Sequence, residues 1–458
     1  GYKKIMQEGT ALISFHPSEK GGLVPFFSKA IPSETGIRQL KEVFSSSGIN
    51  NFQEKKTAGK RILFLPFKAA GREDTLFIAI TSGLLTGSTS EDLLKKAITE
   101  TGTGTDIRNL PGFSRIFLSA GKKADKLFIV FDNLGNITGK IFADSENSPG
   151  GPIAKMSGCA GGDFYIDEKG FSISGYSEIS DSSSSLKTYS RAQPAEFHSY
   201  KILPSATSLF KTAILIPGAR KEKAATNTDL KLLSLADELS PYIGDEVTSA
   251  YIDIRDNPVA RNSLLIYELK NRMQCETVMM RHLGDSPLIR YFRPDDQTSI
   301  PVYTRGFKGL GSVLMPGFAS GLIDSCFTFY DNYLVTGSSF ETLTRFLYDN
   351  MLNKTLANDI WYREFEKTIP SRTGKLFYCV PSGCLDYLSG FLDNKIVDAL
   401  KANRGSLDKI ESIGFQQVSI NGMTYNNLSV SYREEVRKKS VTEWETLLDT
   451  TAAIKPFF

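Results

Sequence analysis

The residue types that most often carry chemistry are few and scattered in this sequence. His16, His198 and His282 are its only histidines, and none lies near another, so HExxH and other compact histidine-metal spacings are excluded. Triads that converge only in space leave no spacing to read. The cysteines, Cys159, Cys275, Cys326, Cys379 and Cys384, are odd in number and dispersed, which argues against a disulfide framework. Cys379 and Cys384 are the one close pair, but CVPSGC lacks the CxxC spacing, and the Leu376-Phe377-Tyr378 run before it marks Cys379 as a core thiol. No GxSxG elbow, P-loop or GxGxxG fingerprint is present; Gly102-Thr103-Gly104 and Gly309-Leu310-Gly311 lack the third glycine. Carboxylates are abundant, yet no pair stands out as a catalytic dyad. These residues assign no catalytic group, no metal ligand and no cofactor, and they leave any binding residues unknown.

Two groups have a pattern suited to binding. Ser88-x-x-Glu91 and Ser338-x-x-Glu341 each place a hydroxyl three residues before a carboxylate, ahead of the helical patterns Leu93-Leu94-Ala97-Ile98 and Leu343-Phe346-Leu347. A helix start with free amides can cradle an anion. No lysine accompanies the loop, however, and a glutamate occupies the positive end, so the spacing predicts capping boxes at Ser88 and Ser338 instead. The second group is the segment 270–322, with Arg272, Arg281, His282, Arg290, Arg293 and Arg305 before glycines 306, 309, 311, 317 and 321, which alternate with apolar residues. It could be a flexible loop for an acidic partner; the plainer reading is an extra hairpin and a packed apolar loop, the arginines serving a solvated face.

The elements that must position these groups repeat along the chain. Asp74–Leu94 aligns without a gap on Asp324–Thr344, with 8 identities in 21 positions. In each copy two short apolar runs flank a tight turn, expected at Thr81-Ser82 and Asp331-Asn332, and a helix follows. Downstream, Lys126-Leu127-Phe128 corresponds to Lys375-Leu376-Phe377. Upstream, Leu40 to Phe44 then Ile62 to Phe67 match Leu232 to Leu239 then Ala250 to Ile254 in pattern. The expected fold class is therefore α+β, with two tandem related lobes of mainly antiparallel sheets and packed helices. The expected domains are a first repeat at 1–180, a Ser-rich linker or loop at 181–194, a second repeat at 195–435 carrying the 270–322 insertion, and a C-terminal helix with the start of a further region at 436–458. In that last stretch Thr442 would cap a short helix bearing Trp444, Leu447 and Leu448, and Pro456 would end it before Phe457-Phe458.

At 458 residues, 41% hydrophobic and 23% charged, the sequence has ample material for large cores and is neither collagenous nor mainly disordered. A net charge of +3 without a long basic run excludes a broad nucleic-acid footprint. No apolar run approaches the ~18 residues of a spanning helix, and the chain starts on Gly1 rather than Met, as after removal of residues or of a tag, so the absence of a targeting segment is not evidence of a cytoplasmic protein.

Leu203-Pro204-Ser205-Ala206-Thr207, the repeated strand–Thr-Gly-Ser–helix unit and the tail Trp444-Glu445-Thr446-Leu447-Leu448 … Ile454-Lys455-Pro456-Phe457-Phe458 together resemble an uncharacterised family of exported, membrane-anchored bacterial proteins with a duplicated α+β domain of unknown function. The resemblance implies a single-span anchor, an extracytoplasmic position in the cell envelope and, in some members, a C-terminal propeller-like region. It carries over no site residues. The expected function is a non-enzymatic envelope scaffold or binding module for an envelope protein or polymer, with membrane contact only through the anchor. The alternative is a hydrolase with a carboxylate site between the lobes.

Overall fold

The computed structural model describes residues 10–18, 22–32, 35–57, 59–69, 72–100, 107–121, 125–143, 158–178, 193–215, 230–253, 262–284, 288–304, 307–315, 318, 324–420 and 423–434. They divide into two compact units, one reaching to Phe113 and including 133–137, the other holding the remainder. Among them, no helix is long and apolar enough to cross a membrane.

The first unit is built on β1 (Ala11–Pro17), β2 (Leu23–Ala30), β3 (Gln53–Thr57), β4 (Lys60–Ala69), β5 (Arg72–Thr81) and β6 (Leu84–Ser88), in the sheet order β1-β2-β6-β5-β4-β3. Every pairing is antiparallel. The period-2 alternation of β4 sends Leu63 and Leu65 toward Leu40 of helix α1 (Ile37–Ser46), and Ile62 and Phe64 toward Leu94 and Ile98 of α2 (Glu91–Glu100).

The second unit contains a 13-stranded sheet in the order β14-β15-β16-β17-β13-β12-β11-β19-β20-β21-β9-β8-β7. Its strands are β7 (Asp125–Val130), β8 (Cys159–Asp167), β9 (Gly170–Glu178), β11 (Thr207–Ile214), β12 (Ile243–Ile252), β13 (Ser263–Leu269), β14 (Ile289–Phe292), β15 (Ile300–Tyr303), β16 (Cys326–Tyr330), β17 (Tyr333–Gly337), β19 (Lys375–Cys379), β20 (Ile410–Ile420) and β21 (Met423–Tyr432). The short strands β10 (Ala195–Glu196) and β18 (Arg372–Thr373) pair separately. The helices in the rest of the described chain are α3 (Phe113–Ser119) and α4 (Gly135–Ile141), each with residues assigned to both units, and α5 (Leu230–Leu239), α6 (Arg272–Leu283), α7 (Leu310–Leu314), α8 (Phe340–Met351), α9 (Ile360–Glu366), α10 (Pro381–Ser389), α11 (Asn394–Ala402) and α12 (Arg404–Leu407) of the second unit.

Helices cover both faces of the middle strands. On one face α5, α6 and α7 bring Leu235, Leu239, Cys275, Met279, Leu310 and Leu314 onto Ala213, Val247, Leu265 and Tyr267. On the other, α8 and α9 bring Leu343, Phe346, Tyr362 and Phe365 onto Phe210, Ala250, Ile266, Val335 and Leu376. The strands between them therefore carry apolar and β-branched residues at successive positions rather than alternating with charges, as in the buried TSLFKTAI of β11.

The α+β class with mainly antiparallel sheets is what the chain adopts. The division of the chain falls elsewhere than at 1–180 and 195–435: β9 pairs with β21 from Gly170↔Ser431 to Glu178↔Met423, which places β7, β8 and β9 in the second unit's sheet. Backbone pairing between distant segments takes precedence over neighbourhood in sequence. Of the Ser-rich stretch, Ser177 and Glu178 end β9 and 179–190 lie outside the described residues, as does 436–458.

The repeated windows share an order of elements, hairpin then helix, at β5-β6-α2 and β16-β17-α8. Their residues do not coincide. The first turn is Ser82-Gly83, with Thr81 paired to Leu84, and the second is Asp331-Asn332, so the aligned positions are one residue out of step. Positive φ at Ser82 (51°), Gly83 (76°) and Asp331 (46°) gives both turns the twist a two-residue hairpin needs. One step reverses the faces of a strand. Thr86 pairs with Ala79 under the following helix α2, whereas Thr336 pairs with Leu265 on the face away from α8. Sheet neighbours differ as well: β6 lies between β5 and β2, and β17 between β16 and β13.

The helix starts are capped by serines other than Ser88 and Ser338. Ser90 accepts the Leu93 amide (3.2 Å) and Ser339 the Thr342 amide (3.2 Å), because each strand extends to the preceding serine or glycine before the helix begins. Ser88 instead donates to the Pro25 carbonyl (2.8 Å), and the Ser338 hydroxyl is buried without a hydrogen-bond partner among the described residues.

Candidate functional site

The residues singled out in the sequence are mostly engaged in structure. In the 270–322 segment, the Arg272 guanidinium donates to the Asp331 carbonyl (2.9 Å), Arg281 and His282 both meet Glu238 of α5, and Arg290 lies 3.6 Å from the Phe340 ring centroid. Arg305 and glycines 306, 317 and 321 lie outside the described residues. The amides of Gly309 and Gly311 donate to the Asp324 carboxylate (2.7 and 2.8 Å), which ties this loop to the start of β16. The segment is thus an extra hairpin, β14-β15, with α6 and α7 packed into the core. The cysteines are buried and none is in a disulfide; burial holds the Cys275 thiol up at about 12, and a hydrogen bond that the Cys379 thiol makes to Cys384, together with burial, raises Cys379. No group of three His, Cys, Asp or Glu among the described residues could hold a metal ion.

Among the described residues, His198, Ser199 and Glu246 are brought together as a hydrolytic constellation would require, with no spacing in the sequence to announce it. The buried Glu246 carboxylate accepts the amides of His198 (2.7 Å) and Ser199 (2.8 Å), and the His198 ring stands 3.8 Å away. Burial, the largest influence, raises the Glu246 pKa against the lowering effect of these hydrogen bonds. The Ser199 hydroxyl is itself buried and bonded to Thr248 (2.7 Å), which donates on to Thr212 (2.7 Å). The carboxylate holds the turn at Ser199–Lys201; the hydroxyl is not presented to a substrate.

In the first unit, an open groove of 420 Å³ is lined by Ile37, Arg38, Lys41, Glu42, Ser45, Glu54 and Arg61. Its charges are spent on one another: Lys41 and Arg61 both pair with Glu54, and Arg38 with Glu42.

The outer edges of that unit's sheet differ in chemistry. β3 ends the sheet with the exposed, charged residues Glu54, Lys55 and Lys56, a common guard against unwanted strand pairing. β1 ends it with Leu12, Ile13 and Phe15, which are 57%, 65% and 63% exposed. Ile13 and Phe15 pair with Phe27 and Pro25 and share one face of the strand; Leu12, Ser14 and His16 share the other. His16 bonds Ser14 (2.9 Å) and stacks edge-on against Phe26, and its burial lowers its pKa, so β1 carries no charge at neutral pH.

A second feature of the larger unit was invisible in sequence. Lys211 of β11 pairs with Phe377, and Lys375 of β19 pairs with Ala213, so the two lysines lie diagonally on one face of adjacent strands. The Lys211 ammonium donates to the Phe318 carbonyl and stands 4.7 Å from its ring centroid. Burial pushes Lys211 down to about 8; burial and then the charge of Lys211 push Lys375 down to about 8. Lys375 faces Gln417, whose amide donates to Asn426 (2.9 Å), and Asn426 donates to Ser177 (3.0 Å). These polar residues run across β11, β19, β20, β21 and β9.

No protein-family model, no curated protein and no solved structure matches this chain.

Proposed function

We propose that this protein is a non-enzymatic binding module of the cell envelope, and that it docks an extended segment of a partner protein along β1. The observation that supports this reading is the contrast between the two edges of one sheet, charged at β3 and neutral and apolar at β1. With no strand beyond it among the described residues, the edge of β1 offers a row of backbone donors and acceptors, and those recognise another polypeptide strand. Ile13 and Phe15 on one side of β1, and Leu12 on the other, would give such a strand apolar contacts at alternate positions. The envelope setting rests on the family resemblance of the sequence.

The test introduces the guard that β3 has and β1 lacks. Ile13→Lys with Phe15→Lys should leave the fold intact, since both side chains are exposed, and should abolish capture of the partner from a solubilised envelope fraction. In wild type, the captured partner should slow hydrogen exchange of the β1 amides. A partner recovered equally by both proteins, or one that leaves β1 exchange unchanged, would overturn the reading. Protection of β1 that rises with protein concentration alone would identify the occupant as a second copy of the chain.

A further inference from the structure

We propose that Cys379 and Cys384 are a site of oxidative modification, where exchange with an external disulfide closes an intramolecular S–S bond that clips α10 onto the end of β19. The fold brings the two residues together. Cys379 is the last residue of β19, and α10 begins at Pro381, two positions later. The amides of Gly383 (3.0 Å) and Cys384 (3.2 Å) both donate to the Val380 carbonyl, so the first turn of α10 folds back over the strand end. Both cysteines are buried in one apolar cluster with Leu209 of β11 and Tyr251 of β12. There the Cys384 thiol donates to the Pro381 carbonyl (3.8 Å), and the Cys379 thiol bonds to Cys384. The other cysteines lie apart: Cys275 in the core beneath α5, α6 and α7, Cys326 in that beneath α8 and α9, and Cys159 at the start of β8.

A thiol is a weak donor and a weak acceptor, so the contact between the two contributes little as it stands. A covalent S–S bond is shorter, at about 2 Å, and replaces that contact without asking for more room. Exchange proceeds by attack of a thiolate on a disulfide sulfur. One cysteine of the pair, as thiolate, displaces a thiolate from the external disulfide and is left as a mixed disulfide. The thiolate of the other then attacks that cysteine's sulfur and displaces the second external thiolate. The external S–S bond is broken and the Cys379–Cys384 bond formed; the pair gives up two electrons and two protons, which end on two external thiols. Burial in apolar surroundings keeps thiols inert, so the exchange starts when α10 lifts or before it has docked. Beyond α10, the Phe391 carbonyl accepts the Ala143 amide and the Asp393 amide donates to the Ile141 carbonyl (2.9 Å each). Clipping the start of α10 therefore also steadies the segment on which Ile141 and Ala143 rest.

Trypsin cuts after Lys375 and Lys395 and nowhere between, so a single peptide, 376–395, carries both cysteines and no other. The whole protein, reduced, is opened in urea and refolded by dilution into oxidised glutathione. The peptide is then expected to be two hydrogens lighter and closed to alkylation, and the thiols titrated in urea should fall by two. Cys275→Ala should leave this bond in place, whereas Cys384→Ala should leave Cys379 as a thiol or as its glutathione adduct. Compared with the reduced protein, the oxidised one should exchange the α10 amides about tenfold more slowly or better and unfold at a higher urea concentration. Should refolding fail, prolonged incubation of the native protein with oxidised glutathione reads the same peptide. A peptide that stays a dithiol or carries glutathione on both sulfurs, a bond from either residue to a different cysteine, or α10 exchange no slower after oxidation would overturn the proposal.

Discussion

Gly414 lies directly opposite Tyr378 across β20 and β19, and the ring of Phe365 from α9 covers it so closely that a Cβ there would stand 2.3 Å from ring carbons. Gly161 of β8 is likewise covered by a ring, there that of its own cross-strand partner Phe128 of β7, which a Cβ would meet at 2.3 Å. Phe365 is only 2% exposed and packs 4.7 Å from Tyr378 between centroids, so it has nowhere to retreat. Gly414→Ala should therefore destabilise the second unit by about 1–3 kcal/mol, the usual cost of overpacking. Gly139→Ala, in the exposed part of α4 with nothing within 4 Å, should instead gain up to about 1 kcal/mol. Urea unfolding of the two variants decides it; equal effects would mean that the ring does not confine Gly414.

The glycine–aromatic pairs also measure what the sequence disclosed. Local signals were legible: the alternation of Ile62 to Phe67 became β4, and the turn residues around Ser82 and Asp331 became hairpins followed by helices. The pairing of β9 with β21 was not, because no local signal announces contact between strands so far apart in sequence. Sequence identity also misled in detail. Thr86-Gly87-Ser88 and Thr336-Gly337-Ser338 match letter for letter yet face opposite ways, since pairing of each strand with its own neighbours sets its register. Lys211 and Lys375 looked like ordinary strand lysines, and only the adjacency of β11 and β19 brings them together.

That adjacency sets a pH dependence. Both lysines titrate at about 8 when folded, against about 10.4 in an unfolded chain, so the unfolded state binds more protons between those values. Their contribution to stability is therefore unfavourable below about pH 8 and is progressively relieved as pH rises toward 10.4. Wild type should gain stability relative to Lys375→Met on going from pH 8 to pH 10. A difference between the two proteins that stays constant across this window would show that Lys375 is solvated like a surface lysine.

The helix starts provide a sharper comparison between neighbouring serines. Ser90 and Ser339 each accept an amide of the first turn, so alanine at either should cost about 1 kcal/mol. Ser338→Ala should cost nothing and could stabilise, because it removes a buried hydroxyl that has no hydrogen-bond partner among the described residues. If Ser338→Ala is the costlier change in thermal unfolding, the cap has been assigned one residue too late.

Glu246 supplies the last test, since its two oxygens accept two different backbone amides, of His198 and of Ser199. A glutamine there keeps the shape but only one acceptor; its amide nitrogen would face a donor. Glu246→Gln should thus leave one buried N–H without a partner and lower stability by about 1–3 kcal/mol at neutral pH. The effect has a characteristic pH dependence. Because burial raises the folded pKa of Glu246 above its unfolded value, the wild-type side chain loses stability relative to glutamine as pH rises from the unfolded value through the folded one. The deficit of Glu246→Gln should therefore be larger on the acid side of that window than above it, as read by chemical unfolding at a series of pH values. A deficit that instead grows as pH rises would mean that hydrogen bonding to the carboxylate outweighs its burial.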